Sequence, residues 1–197
     1  LLRRQRQMCI RDRLKKNAEF GRPNLPSALI IAPTRELALQ VRKELEWVYA
    51  RTKAQFASCV GGMDPRAERR ILESGAHIVV GTPGRLRDHI ERGALSLSDI
   101  KAVVLDEADE MLDMGFREDL TFILEKAPVN RRTLLFSATV PIQIAKMART
   151  YQKEAIRISV SSKRTQHLDI NYHAIKIQPS DRDKAIINLL RYHDVSG

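Results

Sequence analysis

Short, unbroken apolar runs alternate with helical patterns from Ala28 onward, and this constrains the fold more than any other feature of the chain. The runs are ALIIA (28–32), FASCV (56–60), HIVVG (77–81), AVVL (102–105), TLLF (133–136) and AIRISV (155–160). A strand with one wet face alternates apolar and polar residues, whereas a strand covered on both faces does not. The intervening segments read as helices. Leu37, Val41, Leu45 and Val48 mark one helical face, while Asp64-Pro65 and Thr82-Pro83 each place a capping side chain before a proline at a first helical position. Ser180 with Asp183 reads as a capping box opening a last helix that carries Ile186, Leu189 and Leu190. Strands alternating with helices imply a parallel sheet with helices on both faces.

Composition narrows the class further. With 197 residues, 43% hydrophobic and 29% charged, the chain can bury a core, and no apolar run approaches a membrane span. The formal net charge is +10, but residues 1–16 carry a net of +6, leaving +4 for the rest. That modest positive field suits a polyanion such as nucleic acid and equally suits a merely solvated surface. Cys9 and Cys59 show neither zinc nor disulfide spacing, and Leu1 and Leu2 lead straight into Arg3, Arg4 and Arg6 rather than an apolar signal core. A reduced, cytoplasmic setting is expected. The five histidines show no metal spacing and read as surface or core residues. Trp47 reads as part of the packing of the first helix.

The polar residues that follow the strands carry the chemistry. Pro33-Thr34-Arg35-Glu36, Thr82-Pro83-Gly84-Arg85, Asp106-Glu107-Ala108-Asp109 and Ser137-Ala138-Thr139 each directly follow an apolar run. In a parallel sheet all of them lie at the carboxyl ends of the strands, where open α/β domains bind ligands. Asp106 and Glu107 suit a magnesium-nucleotide site, and capping of the next helix by Asp106 and Asp109 is the alternative. Ser137 and Thr139 read either as helix caps or as a bridge from Asp109 to a moving element. The hydroxyl, backbone N–H and guanidinium groups of Thr34, Arg35, Thr82, Gly84 and Arg85 suit phosphate, although turn and cap chemistry accounts for the same residue types. Gly61-Gly62 either makes a turn or lets a ligand approach the backbone closely.

With those residues assembled, the chain resembles the DEAD-box ATP-dependent RNA helicases of superfamily two. It shows Pro33-Thr34-Arg35-Glu36-Leu37-Ala38, Gly61-Gly62, Thr82-Pro83-Gly84-Arg85, Asp106-Glu107-Ala108-Asp109 and Ser137-Ala138-Thr139 in family order, with Met114-Gly115-Phe116 as the usual continuation. A chance four-residue match in a chain this long is roughly a one-in-a-thousand event, so several in order exclude coincidence. The resemblance implies a RecA-like, P-loop NTPase type of α/β fold and ATP with Mg2+ as cofactors. By resemblance, Asp106 organises the ion through water, Glu107 is general base, and Asp109, Ser137 and Thr139 couple nucleotide state to unwinding. Pro33, Thr34, Arg35, Gly61, Gly62, Thr82, Gly84 and Arg85 would line RNA, mainly along its backbone.

The departures from the family pattern shape the expectation for this chain. The family's glycine-rich phosphate loop, GxGKT, occurs nowhere in the sequence, and Gly21 is the only glycine before Ala28. Residues 1–25 read as a non-matching basic segment, either extraneous sequence or an RNA-binding arm, and 26–158 as a first helicase domain truncated at its N-terminus. Residues 159–166 (VSSKRTQ follows Ser159) read as a linker, and 167–197, with the strand-like run INYHAIKI, as the start of a second domain. Loss of the phosphate-loop strand would leave an apolar strand edge beside TLLF. The expected function is therefore a fragment of an RNA helicase that does not turn over ATP alone, with a non-catalytic RNA-binding or partner-docking module as the alternative.

Overall fold

The computed structural model describes residues 20–21, 23–159 and 175–193. They fall into two compact units that divide between Ala155 and Ile156.

The first unit is built on a five-stranded, wholly parallel sheet of order β2-β3-β1-β4-β5. Its strands are β1 (Ala28–Ile31), β2 (Phe56–Cys59), β3 (Ile78–Gly81), β4 (Ala102–Leu105) and β5 (Arg132–Leu135). Six helices connect or follow them: α1 (Arg35–Val48), α2 (Pro65–Ser74), α3 (Pro83–Glu91), α4 (Ala108–Asp113), α5 (Arg117–Lys126) and α6 (Ile142–Tyr151).

Successive side chains of a strand point to opposite faces, and the apolar runs supply both faces here. Leu29, Ile31, Val79, Val103 and Leu105 meet Leu72 of α2, Leu86 of α3, Met111 of α4, Leu120 and Ile123 of α5, and Ile144 of α6. On the other face Ala28, Ile30, Ile78, Val80 and Val104 meet Ala38 and Leu45 of α1, with Leu37, Val41 and Val48 packed around them. The face assigned to α1 from its spacing is thus the face it buries. All residues of β1, β3 and β4 are buried, whereas those of β5, an edge strand among the described residues, are only half-buried.

Several sequence expectations need correcting. Trp47 is 79% exposed, because it lies two residues from Leu45 and therefore on the opposite side of α1. Residues 155–159 of AIRISV form no strand and are exposed, and 160 lies outside the described residues. Of INYHAIKI, residues 175–177 are exposed and irregular, while 170–174 fall outside the description. In the second unit, Pro179–Asp181 forms a 3-10 turn and α7 spans Arg182–Tyr192. The predicted capping box is not made: Asp181 is the N-cap, with no side-chain bond, because the turn at Pro179 moves the helix start past Ser180. Ile186, Leu189 and Leu190 of α7 are exposed. No helix among the described residues is long and apolar enough to cross a membrane.

Candidate functional site

Because every strand runs the same way, the segments that leave β1 to β5 gather at one end of the sheet. At the exit of β1, Pro33 is buried and shapes the turn, while Arg35 is exposed. Thr34 caps α1, its Oγ1 accepting the Leu37 N–H at 3.2 Å. The hydroxyl acts there as acceptor, so its own proton stays available to a phosphate oxygen.

The exit of β2 leads into Gly61 and Gly62, both exposed. Gly62 has φ +76°, and a methyl group there would lie 2.7 Å from Arg35 Nη1. The Arg35 guanidinium therefore rests against the second glycine, bringing the first two motifs into contact. Gly61 has open space where a side chain would be, and so does Gly84. Packing among the described residues does not account for either glycine, whereas a close approach by a ligand backbone would.

Beyond β3, Thr82 is the N-cap of α3 with Pro83 at the first helical position, but its hydroxyl makes no capping bond. The predicted cap is made at Asp64, whose Oδ1 accepts the Arg66 N–H at 2.9 Å, and not at Thr82. Arg85, which the resemblance places along RNA, has its Nη1 donating to Glu68 Oε2 at 3.2 Å and a side chain 16% exposed. Sequence reasoning missed Glu68. It is 2% exposed and accepts from the Val60 N–H at 2.9 Å and from His89 Nε2 at 2.7 Å as well. The available signal was position: Glu68 lies four residues before Leu72, on the face of α2 that is buried. Burial and then the charge of Glu68 push the Cys59 thiol far above its ordinary range, which makes it inert.

At the exit of β4, Asp106 is buried and the next residue, Glu107, is exposed. Glu107 has φ 51° and ψ 53°, the left-handed region, and it makes no side-chain cap to α4. An L-residue there costs roughly 1–2 kcal/mol relative to ordinary backbone. The turn is held on both sides: Asp106 N–H donates to the Ile31 carbonyl at 2.9 Å, and Ala108 N–H to the Phe136 carbonyl at 3.0 Å. The capping alternative for Asp109 fails, because its Oδ2 instead accepts the Thr139 N–H and the Thr139 hydroxyl, each at 2.8 Å. Partial burial works against ionisation of Asp109, yet the donors on Thr139, with a smaller contribution from the Ser137 hydroxyl, outweigh it and hold the carboxyl below its ordinary value. Ser137 Oγ otherwise donates to the Thr139 carbonyl. Neither hydroxyl caps α6, whose N-cap is Pro141.

The DEAD/DEAH box helicase family model matches residues 7–147, more than half of the chain and reaching into the basic segment that precedes the sheet. The chain belongs to the DEAD/DEAH box helicase family. The chain is 46% identical over 175 residues to the DEAD-box ATP-dependent RNA helicase CshA of Streptococcus pneumoniae serotype 4, covering 83% of the chain and 33% of the relative. It is 40% identical over 184 residues to CshA of Geobacillus kaustophilus, covering 89% and 39%. Among solved structures, a DEAD box protein from the hyperthermophile Methanococcus jannaschii superposes with a TM-score of 0.68 at 39% identity, over 85% of this chain and 45% of that one. The yeast DEAD-box splicing factor Prp28 gives 0.61 at 39% identity, over 65% and 31%. The fold is therefore the RecA-like parallel sheet of DEAD-box proteins, and the chain spans between a third and two-fifths of the length of these curated relatives.

Proposed function

We propose that this chain is the part of an ATP-dependent RNA helicase that carries the hydrolytic carboxylates and one half of the RNA face. The observation that carries the reading is Glu107: an exposed carboxylate in a left-handed turn, directly after a buried aspartate, at the ligand-binding end of the sheet. Strained backbone held in place by surrounding hydrogen bonds clusters at functional sites, and of the left-handed residues Lys53, Glu107 and Glu154 it is Glu107 that follows a core strand at that end of the sheet. Its exposed carboxylate suits a general base toward a water molecule.

The donor set fits magnesium. Asp106 and Glu107 supply hard carboxylate oxygens, and no group of three or more His, Cys, Asp or Glu gathers among the described residues. A magnesium ion in such a place takes the rest of its shell from water and phosphate. When bound, the ion neutralises charge on the phosphates of ATP. Asp106 would hold it through water, and Asp109, Ser137 and Thr139 would couple nucleotide state to strand separation. Thr34, Arg35, Gly61, Gly62, Thr82 and Gly84 would contact the RNA backbone, with Pro33 and Arg85 supporting them from within. A non-catalytic binding module has no use for a strained Glu107, which favours the enzyme reading.

The chain holds no GxGKT sequence, so we expect no turnover by these residues alone. RNA-stimulated ATP hydrolysis by the chain, compared with Glu107→Gln, should show no excess. Turnover that depends on RNA and on Glu107 would overturn that expectation. Single-stranded RNA should outcompete DNA of equal length, and preference for DNA would overturn the choice of RNA.

A further inference from the structure

We infer that Glu68 is a positioning residue for the nucleic-acid face, a buried carboxylate that fixes the Gly61-Gly62 loop and the Thr82–Arg85 loop relative to each other. The inference rests on the RNA reading proposed above.

The two loops leave neighbouring strands, β2 and β3, where the Thr82 N–H donates to the Cys59 carbonyl at 3.0 Å, and their own side chains add little further anchorage. Gly61 and Gly62 have no side chains with which to anchor, and Thr82 makes no cap to α3. Glu68 reaches both from α2. Its Oε1 accepts the N–H of Val60, the residue just before the glycine pair, at 2.9 Å. Its Oε2 accepts from Arg85 Nη1 at 3.2 Å and from His89 Nε2 at 2.7 Å. Arg85 Nη1 also lies 3.5 Å from the Met63 carbonyl, on the far side of the glycine pair. One carboxylate thus ties together the exit of β2, the start of α3 and the last turn of α3.

The energetics single the arrangement out. A carboxylate that is 2% exposed is costly to bury, and an apolar side chain beside Leu72 would fill the same place without that cost. His89 is equally buried, and among the described residues its Nδ1 has no hydrogen-bond partner, so there Glu68 is the polar contact its ring makes. A group that binds a backbone phosphate chain must keep its donors at phosphate spacing. A buried anion bonded to both loops adds to the backbone bond between Thr82 and Cys59 and provides that pre-organisation.

The test separates position from charge, because the two predict opposite signs. Glu68→Gln keeps an oxygen for the Val60 N–H but releases Arg85. If Glu68 acts only through its charge, removing a negative group near a polyanion tightens binding. If it positions, binding weakens. With the 197-residue chain and a short fluorescein-labelled single-stranded RNA, anisotropy should show about a tenfold loss for Glu68→Gln. In an Arg85→Ala background the same substitution should add no further loss, since the two changes act through one contact. Glu68→Asp retains the charge but is too short to span the contacts, and should weaken binding in the same direction. Tighter or unchanged binding in Glu68→Gln, unchanged binding in Glu68→Asp, or full additivity with Arg85→Ala would overturn the inference. Failure of the RNA reading looks different: the unaltered chain would not bind RNA, or Arg35→Ala would leave binding intact, and the inference would fall with it.

Discussion

Two polar junctions join neighbouring motifs at the same end of the sheet, and they are built in opposite ways. Glu68, Arg85 and His89 meet in the interior, where two of the three side chains are 2% exposed and every donor converges on one carboxylate. Asp109 and Thr139 meet at the surface, through two bonds of 2.8 Å that water can replace. A buried junction is expensive to break because it strands charge and donors in a medium that cannot solvate them. A surface junction opens at little cost because water takes over. The first suits a platform that must not change shape, and the second suits a latch that must. That division agrees with the proposed roles, in which the loops after β1 to β3 contact RNA and the segments after β4 and β5 transmit nucleotide state.

The largest test of the contrast is Glu68→Ala. It leaves Arg85, His89 and the Val60 N–H without their acceptor, and should lower unfolding stability by about 3 kcal/mol. A urea midpoint that falls with unchanged slope would show it. A loss below about 1 kcal/mol would place the interior junction level with the surface one and erase the distinction.

Gly62→Ala comes next. A φ of +76° strains any L-residue, and the new methyl group would displace the flexible end of Arg35. About 1 kcal/mol of stability should be lost, mainly from backbone strain. RNA binding should suffer as well, because Arg35 loses its seat. Stability lost with RNA affinity untouched would mean that the glycine serves the turn alone.

The smallest effect belongs to the latch. Asp109→Asn or Thr139→Ala should change stability by only about 0.5 kcal/mol. The carboxyl of Asp109 lies below its ordinary value of 3.8 in the folded chain, so its contribution is present above that pH and is lost as pH falls through the depressed folded value. Denaturation midpoints recorded from pH 5 downward should fall slightly less steeply in Asp109→Asn than in the parent chain. A strong acid effect removed by that substitution would show the latch to be a structural bond instead.

Much of the frame was legible in the sequence because burial on both faces leaves a direct mark. ALII, IVVG and AVVL are continuous apolar runs for the reason that helices cover both sides of β1, β3 and β4. The motif residues were legible by position, since polar groups that directly follow such runs must emerge at one end of a parallel sheet. AIRISV misled because Ile156 and Ile158 have strand-forming side chains, yet a strand needs a partner, and partnership is a long-range property. Thr82 misled because a hydroxyl before Pro83 has the chemistry of a cap whether or not it makes the bond. Glu68 was hidden for a related reason: its partners Arg85 and His89 lie 17 and 21 residues away, and only the packing of α2 and α3 against the same face brings them to it.

The left-handed turn at Glu107 has a consequence for anyone who would stabilise this protein. Glycine is the residue that such backbone prefers, and Glu107→Gly should raise stability by about 1 kcal/mol while deleting the carboxylate. Selection for stability alone would therefore drift toward glycine at this position. The glutamate marks a point where the optimum for folding and the optimum for chemistry are different sequences, and a screen that rewards only thermal tolerance would quietly erase the second.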